Sequence, residues 1–110
     1  GYLDEVDTSS VDVEKDNFLD DYSITNYPNP FNPSTNISFS TPEQGDITVI
    51  IYDVNGNRVR LLLNEFKTAG SYKINWDGKN ENGFLVSGGL YICTITYGDI
   101  VQTKKMILLK

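Results

Sequence analysis

Three prolines within six residues, Pro28, Pro30 and Pro33, stand directly before an alternating apolar stretch and limit what this chain can fold into. A proline fixes φ near about −65° and has no backbone N–H, and the residue before it is pushed toward extended geometry. The stretch YPNPFNP should therefore run extended and stiff, at a sheet edge or between two sheets, where missing donors cost little. We expect Tyr27 and Phe31 to anchor this stretch in the end of the core.

The segments that follow have the patterns of strands. In TNISFST apolar residues alternate with polar ones, which is typical of a strand with one solvated face. The stretch ITVIIYDV predicts a second strand, whose core face carries Ile47, Val49 and Ile51. Its other face, with Ile50 and Tyr52, is more apolar than a solvated strand requires.

A hairpin is predicted directly after this second strand. Asn55 and Gly56 are the pair that tolerates the positive φ values of a type I′ hairpin turn. The return strand should run from Arg58 to Phe66. Three further strands are predicted in AGSYKINW, in GLYICTITYG and in the last stretch of the chain.

Turn clusters recur at a spacing of roughly ten residues, and no stretch has sustained helical periodicity. The sequence thus predicts an all-β chain with about seven short strands, an immunoglobulin-like or fibronectin-like β-sandwich, with a small barrel as the alternative. Trp76 is expected in the core, although an exposed sugar-stacking platform is the alternative. Cys93 is expected to be a small buried side chain rather than a nucleophile, because no base is available to lower its pKa.

The net charge of −6 is unevenly spread along the chain. Residues 1–26 hold eight acidic side chains and one lysine, which leaves eight basic and seven acidic side chains in the rest. Dense acid and few apolar residues predict that residues 1–21 form a flexible acidic linker and that residues 22–110 form the sandwich. The alternative is that four apolar residues dock on the body as an extra strand or short helix: Val11, Val13, Phe18 and Leu19.

Composition excludes several classes of function. The chain has no His and one Cys, so it cannot form a Ser-His-Asp triad, a Cys-His dyad, a His-ligated metal site or an internal disulfide. The carboxylates of the body fall in predicted turns or at strand ends, so we expect no catalytic residue and no cofactor. The nearly neutral body offers no electrostatic footprint for nucleic acid or an anionic membrane. No apolar run approaches the ~20 residues of a membrane span.

Two stretches rich in Asp and Asn invite comparison with calcium sites. Asp53, Asn55 and Asn57 imitate the start of a calcium loop, but the positions that need a glycine and a bidentate glutamate hold Arg58 and Asn64. The loop at residues 77–83 offers oxygen ligands more freely, from Asp77, Asn80, Glu81 and Asn82. The same residue types are what a turn needs, since their side chains cap their own backbone, so a turn is favoured over a weak calcium site.

An ordered set of motifs, NYPNPFNPST, IYDVNGNRV and AGSYKINWDGKNENGFLVSGGLYICTITYGDIVQTKKMILLK, resembles the type A C-terminal sorting domain of proteins exported by the type IX secretion system. The resemblance covers Tyr22 to Lys110. It implies an immunoglobulin-like fold shared with the C-terminal region of the flagellar hook-capping protein. Two positions depart from the family pattern: Asn57 stands where a basic residue commonly follows the hairpin glycine, and Gly88 stands where a Ser is common.

The function that the resemblance implies is that of a non-catalytic address. Family members end a larger secreted parent protein, are recognised by the secretion machinery, and pass through the periplasm to the cell surface or medium. A sortase-like peptidase often removes them. The positions that match the family motifs are Pro28, Asn29, Pro30, Tyr52, Asp53, Gly56, Gly89, Leu90 and Tyr91, and the recognition tail is Lys104, Lys105, Met106, Ile107, Leu108, Leu109 and Lys110.

Several alternatives stay open at this point. Lys104 and Lys105 either protect a sheet edge or form a basic mark for a receptor, and recognition by strand addition at an exposed edge is one hypothesis. An accessory carbohydrate-binding module is a second function, and it requires a planar row of exposed aromatic side chains, with Tyr52, Phe84 and Tyr97 as candidates. A structural spacer or assembly domain is a third.

Overall fold

The computed structural model describes residues 24–110, and these contain seven strands and no helix. In chain order the strands are β1 (Thr25–Tyr27), β2 (Thr35–Thr41), β3 (Gly45–Tyr52), β4 (Arg58–Lys67), β5 (Gly70–Trp76), β6 (Gly89–Tyr97) and β7 (Ile100–Leu108). The predicted all-β chain of about seven strands is confirmed. The predicted linker at residues 1–21 and its docking alternative lie outside the described residues.

The strands form two antiparallel sheets that pack face to face. One sheet has the order β1-β2-β5, and the other has the order β4-β3-β6-β7. The inner faces of both sheets contribute to one cluster of buried apolar side chains. The chain is therefore an immunoglobulin-like β-sandwich and not the small barrel that the sequence also allowed.

Strand alternation builds the core. The core face of β3 places Ile47, Val49 and Ile51 inside, and Ile50 and Tyr52 lie half-buried on the opposite face, as predicted. Full burial of such a side chain contributes about 1.5–3 kcal/mol. The other buried apolar side chains are Ile24, Phe31, Ile37, Phe39, Val59, Trp76, Tyr91, Cys93, Ile95, Met106 and Leu108.

The proline-rich segment differs from its prediction at one of its two anchors. Phe31 is buried, as expected, but Tyr27 is 82% exposed, so the prediction for Tyr27 is wrong. The reason is the period of the strand: Asn26 occupies the buried position of β1, and its neighbour must then face outward. The segment also bends at residues 28–30 and at residues 32–33 instead of running straight.

The β3–β4 hairpin is confirmed, but its turn is not type I′. The carbonyl oxygen of Asp53 accepts from the N–H of Gly56 at 3.1 Å, and the N–H of Asp53 donates to the carbonyl oxygen of Asn57 at 3.0 Å. Val54 and Asn55 are thus the central residues of the turn, and Gly56 follows with φ of 84°. This is the three-residue hairpin loop in which a glycine after the turn takes the left-handed conformation.

Candidate functional site

The end of β7 is held by the proline-rich segment, which lies far away in sequence. The side-chain oxygen of Asn29 accepts from the N–H of Ile107 at 3.0 Å, and its NH2 group donates to the carbonyl oxygen of Lys105 at 3.4 Å. The N–H of Phe31 donates to the carbonyl oxygen of Ile107 at 2.9 Å, and its carbonyl oxygen accepts from the N–H of Leu109 at 2.8 Å. Residues 29–31 therefore act as a short parallel strand beside β7, in which one carboxamide takes the place of a peptide unit.

A polar contact fixes where this segment leaves β1. The hydroxyl of Thr35 donates to the carbonyl oxygen of Pro28 at 2.8 Å, and the side-chain NH2 of Asn26 donates to the hydroxyl of Thr35 at 3.3 Å. Both side chains are buried. Because buried polar groups need partners, this chain of bonds ties the first proline to β2.

An aromatic cluster lies beneath the segment. The ring of Phe31 packs on Trp76 with centroids 5.7 Å apart, and Trp76 packs edge-on against Tyr91 at 5.4 Å. The indole N–H of Trp76 donates to the carbonyl oxygen of Lys79 at 3.0 Å, and the hydroxyl of Tyr91 donates to the carbonyl oxygen of Ser87 at 2.6 Å. Trp76 is a core residue, as predicted, and not a sugar platform.

The start of β6 makes room for the tail. Gly89 pairs with Leu108 across the β6–β7 ladder. A Cβ atom at the preceding residue, Gly88, would lie 2.7 Å from Cγ of Lys110 and 3.2 Å from the carbonyl oxygen of Leu108. A glycine at this position therefore lets the tail pass close to β6, which gives a physical reason for the departure from Ser.

Alternation divides the predicted recognition tail into two sets. Met106 and Leu108 are buried in the core, whereas Ile107 is 44% exposed and Leu109 is 51% exposed. The two lysines are divided in the same way, because neighbouring residues of a strand face opposite sides. Lys104 shares the core-facing side and is half-buried, and Lys105 is exposed on the outer side.

The hairpin motif, residues 52–56, lies at the same end of the sandwich. The carboxylate of Asp53 accepts from the N–H groups of Asn55 and Asn57, both at 2.9 Å, so it organises the turn. Tyr52 pairs with Ile92, which directly follows the motif residues 89–91 at the start of β6. Burial raises the pKa of Tyr91, and the negative charge of Asp53 raises it further.

The four groups of predicted motif residues are thus brought to one end of the molecule. Residues 28–30, 52–56, 89–91 and 104–110 surround the end of β7 and the aromatic cluster beneath it. Sequence reasoning had linked these groups only through the resemblance. It missed the direct bonds from Asn29 to β7, although an amide between two prolines, where backbone donors are scarce, was a usable signal.

The loop at residues 77–88 uses its oxygens for its own structure. Asp77 accepts from the side chain of Arg60 at 3.2 Å and from the N–H of Lys79 at 3.0 Å. Asn80 accepts from two backbone N–H groups, and Glu81 accepts from the N–H of Leu61 at 2.7 Å. These contacts support the predicted turn role, and within residues 24–110 no three His, Cys, Asp or Glu side chains converge as a metal site.

The candidate aromatic platform is not a row. Tyr52 pairs with Ile92, and Tyr97 pairs with Ile47, five positions along the same ladder. An odd number of positions puts the two rings on opposite faces of the sheet. Phe84 is exposed in the loop after β5. The planar surface required by a carbohydrate-binding module is therefore not formed by these three residues.

Cys93 is buried in the sandwich, as predicted. Burial raises the pKa of its thiol to about 12, which keeps it protonated at neutral pH. The thiol form is a poor nucleophile.

Among residues 24–110 there is also no helix that could span a membrane.

The family of FlgD Ig-like domains matches residues 26–99. The chain belongs to this family. The matched residues run from β1 to the turn before β7, so three of the four motif groups lie inside the matched region and the tail at residues 104–110 lies beyond it. A search of curated proteins finds no match.

Among the solved structures with the same fold are three from two bacteria. Dimeric latent PorU from Porphyromonas gingivalis is 24% identical with a TM-score of 0.60, over 78% of this chain and 9% of that chain. PorZ, described as an essential bacterial surface component of the type-IX secretion system of Porphyromonas gingivalis, is 22% identical with a TM-score of 0.55, over 84% of this chain and 12% of that chain. FlgD from P. aeruginosa is 25% identical with a TM-score of 0.54, over 67% of this chain and 58% of that chain.

Each of these proteins is longer than the part that this chain matches. At such low identity the first two likenesses show the fold alone. This chain spans 9% of the PorU chain, 12% of the PorZ chain and 58% of the FlgD chain.

Proposed function

We propose that this chain carries a non-catalytic sorting module, which directs a larger secreted parent protein through the type IX secretion system to the cell surface or medium. The observation that carries the proposal is the convergence of the four motif groups around the end of β7. Among the proteins that share the fold, PorZ is described as a surface component of that system.

The exposed part of the tail is the surface offered to the secretion machinery. Lys105, Ile107 and Leu109 face outward, and the exposed Leu90 pairs with Ile107 on the same outer face. Met106 and Leu108 hold this surface in place from the core side. After export, a sortase-like peptidase would remove the module from its parent.

The absence of catalysis is part of the proposal. The thiol of Cys93 is buried and protonated, and the carboxylates of Asp53, Asp77 and Glu81 are hydrogen-bonded to backbone N–H groups of their own turns or of β4. An oxygen already used in this way is a poor general base for an outside substrate.

A fusion test decides between export and retention. Residues 1–110 are placed behind a fluorescent protein with a periplasmic targeting signal, in a type IX-competent bacterium and in a matched secretion-null strain. Fluorescence at the surface or in the medium of the competent strain alone is the expected result. Periplasmic retention in both strains, with the module folded, would overturn the proposal.

A variant pair in the same fusion tests the tail surface without damaging the core. Ile107→Ser and Leu109→Ser together remove exposed apolar side chains while Met106 and Leu108 stay, so the fold should survive and export should fall. Tyr27→Ser, at an exposed position of β1, is the matched control and should be exported normally. Equal export of both would leave the tail surface without a role.

The family match favours one second candidate, a spacer or assembly module. A module that only spaces domains needs the folded sandwich, including β7, but no exposed tail surface. This function predicts retention in both strains in the fusion test, together with normal folding and no effect of the tail variants on the parent protein.

A further inference from the structure

The edge of β7 is covered over only part of its length. In an antiparallel ladder the N–H and C=O groups of alternate residues point to the same side of a strand. On β7 the outward groups of Lys105, Ile107 and Leu109 are hydrogen-bonded to the proline-rich segment. Asn29 bonds to the carbonyl oxygen of Lys105 and the N–H of Ile107, and Phe31 bonds to the carbonyl oxygen of Ile107 and the N–H of Leu109. Val101 and Thr103 have the same parity, and no residue between 24 and 110 bonds to their outward groups.

The other exposed edges differ from this one. On β4, the N–H of Glu81 donates to the carbonyl oxygen of Val59 at 3.1 Å, and its carboxylate accepts from the N–H of Leu61, so a loop covers the edge at residues 59–61, the part of β4 near the candidate site. β1 has only three residues. The edge of β5 lies in the other sheet, away from the candidate site. The open stretch of β7 is therefore the vacant edge that adjoins the motif residues.

Two lysines set the chemistry of this open stretch. Within the described part of the chain, neither Lys104 nor Lys105 belongs to an ion pair. Lys104 lies on the core-facing side, paired across the ladder with Cys93. A strand added to β7 would cover Lys104 further, and a buried cation without a partner is strongly unfavourable. An inward lysine thus opposes apolar strands at an edge.

We propose that the edge of β7 from Val101 to Lys104 accepts an extended segment of a partner protein by strand addition, with an acidic side chain of that segment opposite Lys104. Main-chain hydrogen bonds would provide affinity, and the lysine would select the partner. Asn29 closes the edge at Lys105 and so sets where the added strand must end. The inference rests on the proposed function for the setting of this partner, which belongs to the secretion machinery.

A peptide titration tests the edge independently of export. The probes are two short synthetic peptides, TVEVEVT and TVKVKVT, added to the 15N-labelled chain of residues 1–110. We expect the amide signals of Val101 and Thr103 to shift and to gain protection from hydrogen exchange with the acidic peptide, with an affinity about tenfold above that for the basic peptide. Lys104→Glu should reverse this preference.

Blocking variants separate strand addition from simple charge attraction. Thr103→Pro removes an outward N–H that has no partner in the described residues, so the ladder with β6 remains and the edge is closed. Binding of the acidic peptide should be lost, while Thr103→Val should bind as the unaltered chain does. Val101→Pro is a second blocking variant, for use if Thr103→Pro fails to fold.

Four results would overturn the inference: equal affinity for both peptides, unchanged binding in both proline variants, binding at other amides only, or amides of Val101 and Thr103 that are already protected without peptide. The last result would assign the edge to residues 1–23 or to a second copy of the chain. In the export fusion, normal export of Thr103→Pro would reject strand addition at the edge of β7, while the sorting proposal would still stand. Retention of the unaltered fusion would reject the sorting proposal, and the peptide titration would still decide the edge.

Discussion

The two halves of β7 belong to one strand and one ladder, yet they are held very differently. Toward its end, residues 29–31 pair with the outer edge, Gly88 lets the tail pass close to β6, and Met106 and Leu108 fill the core. Toward its start, Lys104 takes the core-facing position and the outer edge has no partner among residues 24–110. We call these the closed half, residues 105–109, which includes Leu109 directly after β7, and the open half, residues 100–104.

The difference teaches that regular secondary structure does not by itself say how firmly a strand is held. Both halves make the same ladder with β6. Only the closed half also has a partner on its second edge and apolar side chains in the core, so it should open less often than the open half.

The largest expected effect comes from removing a core contact of the closed half. Met106→Ala should lower the free energy of unfolding by about 2–5 kcal/mol, because the fully buried side chain leaves a cavity. Val101→Ala, at a position that is 61% exposed in the open half, should change it by less than about 0.5 kcal/mol. Urea unfolding of both variants measures the contrast, and similar losses would show that the two halves are held alike.

The second prediction concerns the packed face of the open half in alkali. Burial raises the pKa of Cys93 from 9.0 to about 12. The stabilisation is complete below pH 9 and is lost as pH rises toward 12, because the unfolded chain releases the thiol proton and the folded chain does not. The loss should approach about 1.4 kcal/mol per pH unit in this window.

Urea unfolding between pH 8 and pH 11 checks this, with Cys93→Ala as the control that lacks the thiol. The unaltered chain should lose stability more steeply than the variant. If the free energy of unfolding falls with pH equally in both proteins, water reaches the thiol of Cys93. The open half would then be solvated on its core-facing side as well as at its outer edge.

The third prediction concerns the contact between the proline-rich segment and the loop after β5. Gly78 has φ of 78°, and a Cβ there would lie 2.6 Å from the carbonyl oxygen of Pro33. Gly78→Ala should cost about 1–2 kcal/mol for the left-handed conformation and further free energy for the displaced segment. Gly56→Ala, with φ of 84° and open space around it, carries the conformational cost alone.

The difference between these two glycine variants in urea unfolding isolates the contact with Pro33. If Gly78→Ala and Gly56→Ala lose the same free energy of unfolding, the proline-rich segment moves away from residue 78 at no cost. The contact of Pro33 with the loop would then not be needed to hold the segment against the closed half.

The smallest expected effect comes from the carboxamide that closes the edge. Asn29→Ala removes two exposed hydrogen bonds and should lower the free energy of unfolding by about 1 kcal/mol. Hydrogen exchange at the N–H of Ile107 should become faster, while that of Leu109 should change less, since Phe31 still accepts from it.

Asn29→Asp is the matched variant, because it keeps the acceptor for Ile107 and loses the donor to Lys105. Intermediate exchange at Ile107 is expected. Unchanged exchange in both variants would show that the closed half needs only the backbone of Phe31.

The strands themselves were predictable because their signal is local. The alternation around Val49 and around Cys93, and the turn residues between strands, identified the sandwich class and most of its core. The hairpin at Gly56 was also recognised, but its turn type was not, since Asp53 captures two backbone N–H groups and shifts the centre of the turn.

The site was only half predictable. The resemblance marked Asn29, Gly89 and the tail as important residues, but not that they touch one another. Tyr27 was expected to anchor the extended proline-rich segment in the core, while the phase of a three-residue strand gave the buried position to Asn26. A strand that short has too few residues for its phase to be read from alternation.

What the sequence by itself determined is the class of the fold, the buried faces of the long strands, and the absence of His from the whole chain. These follow from composition and from the period of two along a strand. Only the tertiary structure decided that Asn29 pairs with β7, that Lys104 and Lys105 face opposite sides of one sheet edge, and that part of this edge is left open. Those features depend on which distant segments meet, and contacts across more than 70 residues leave no local pattern in the chain.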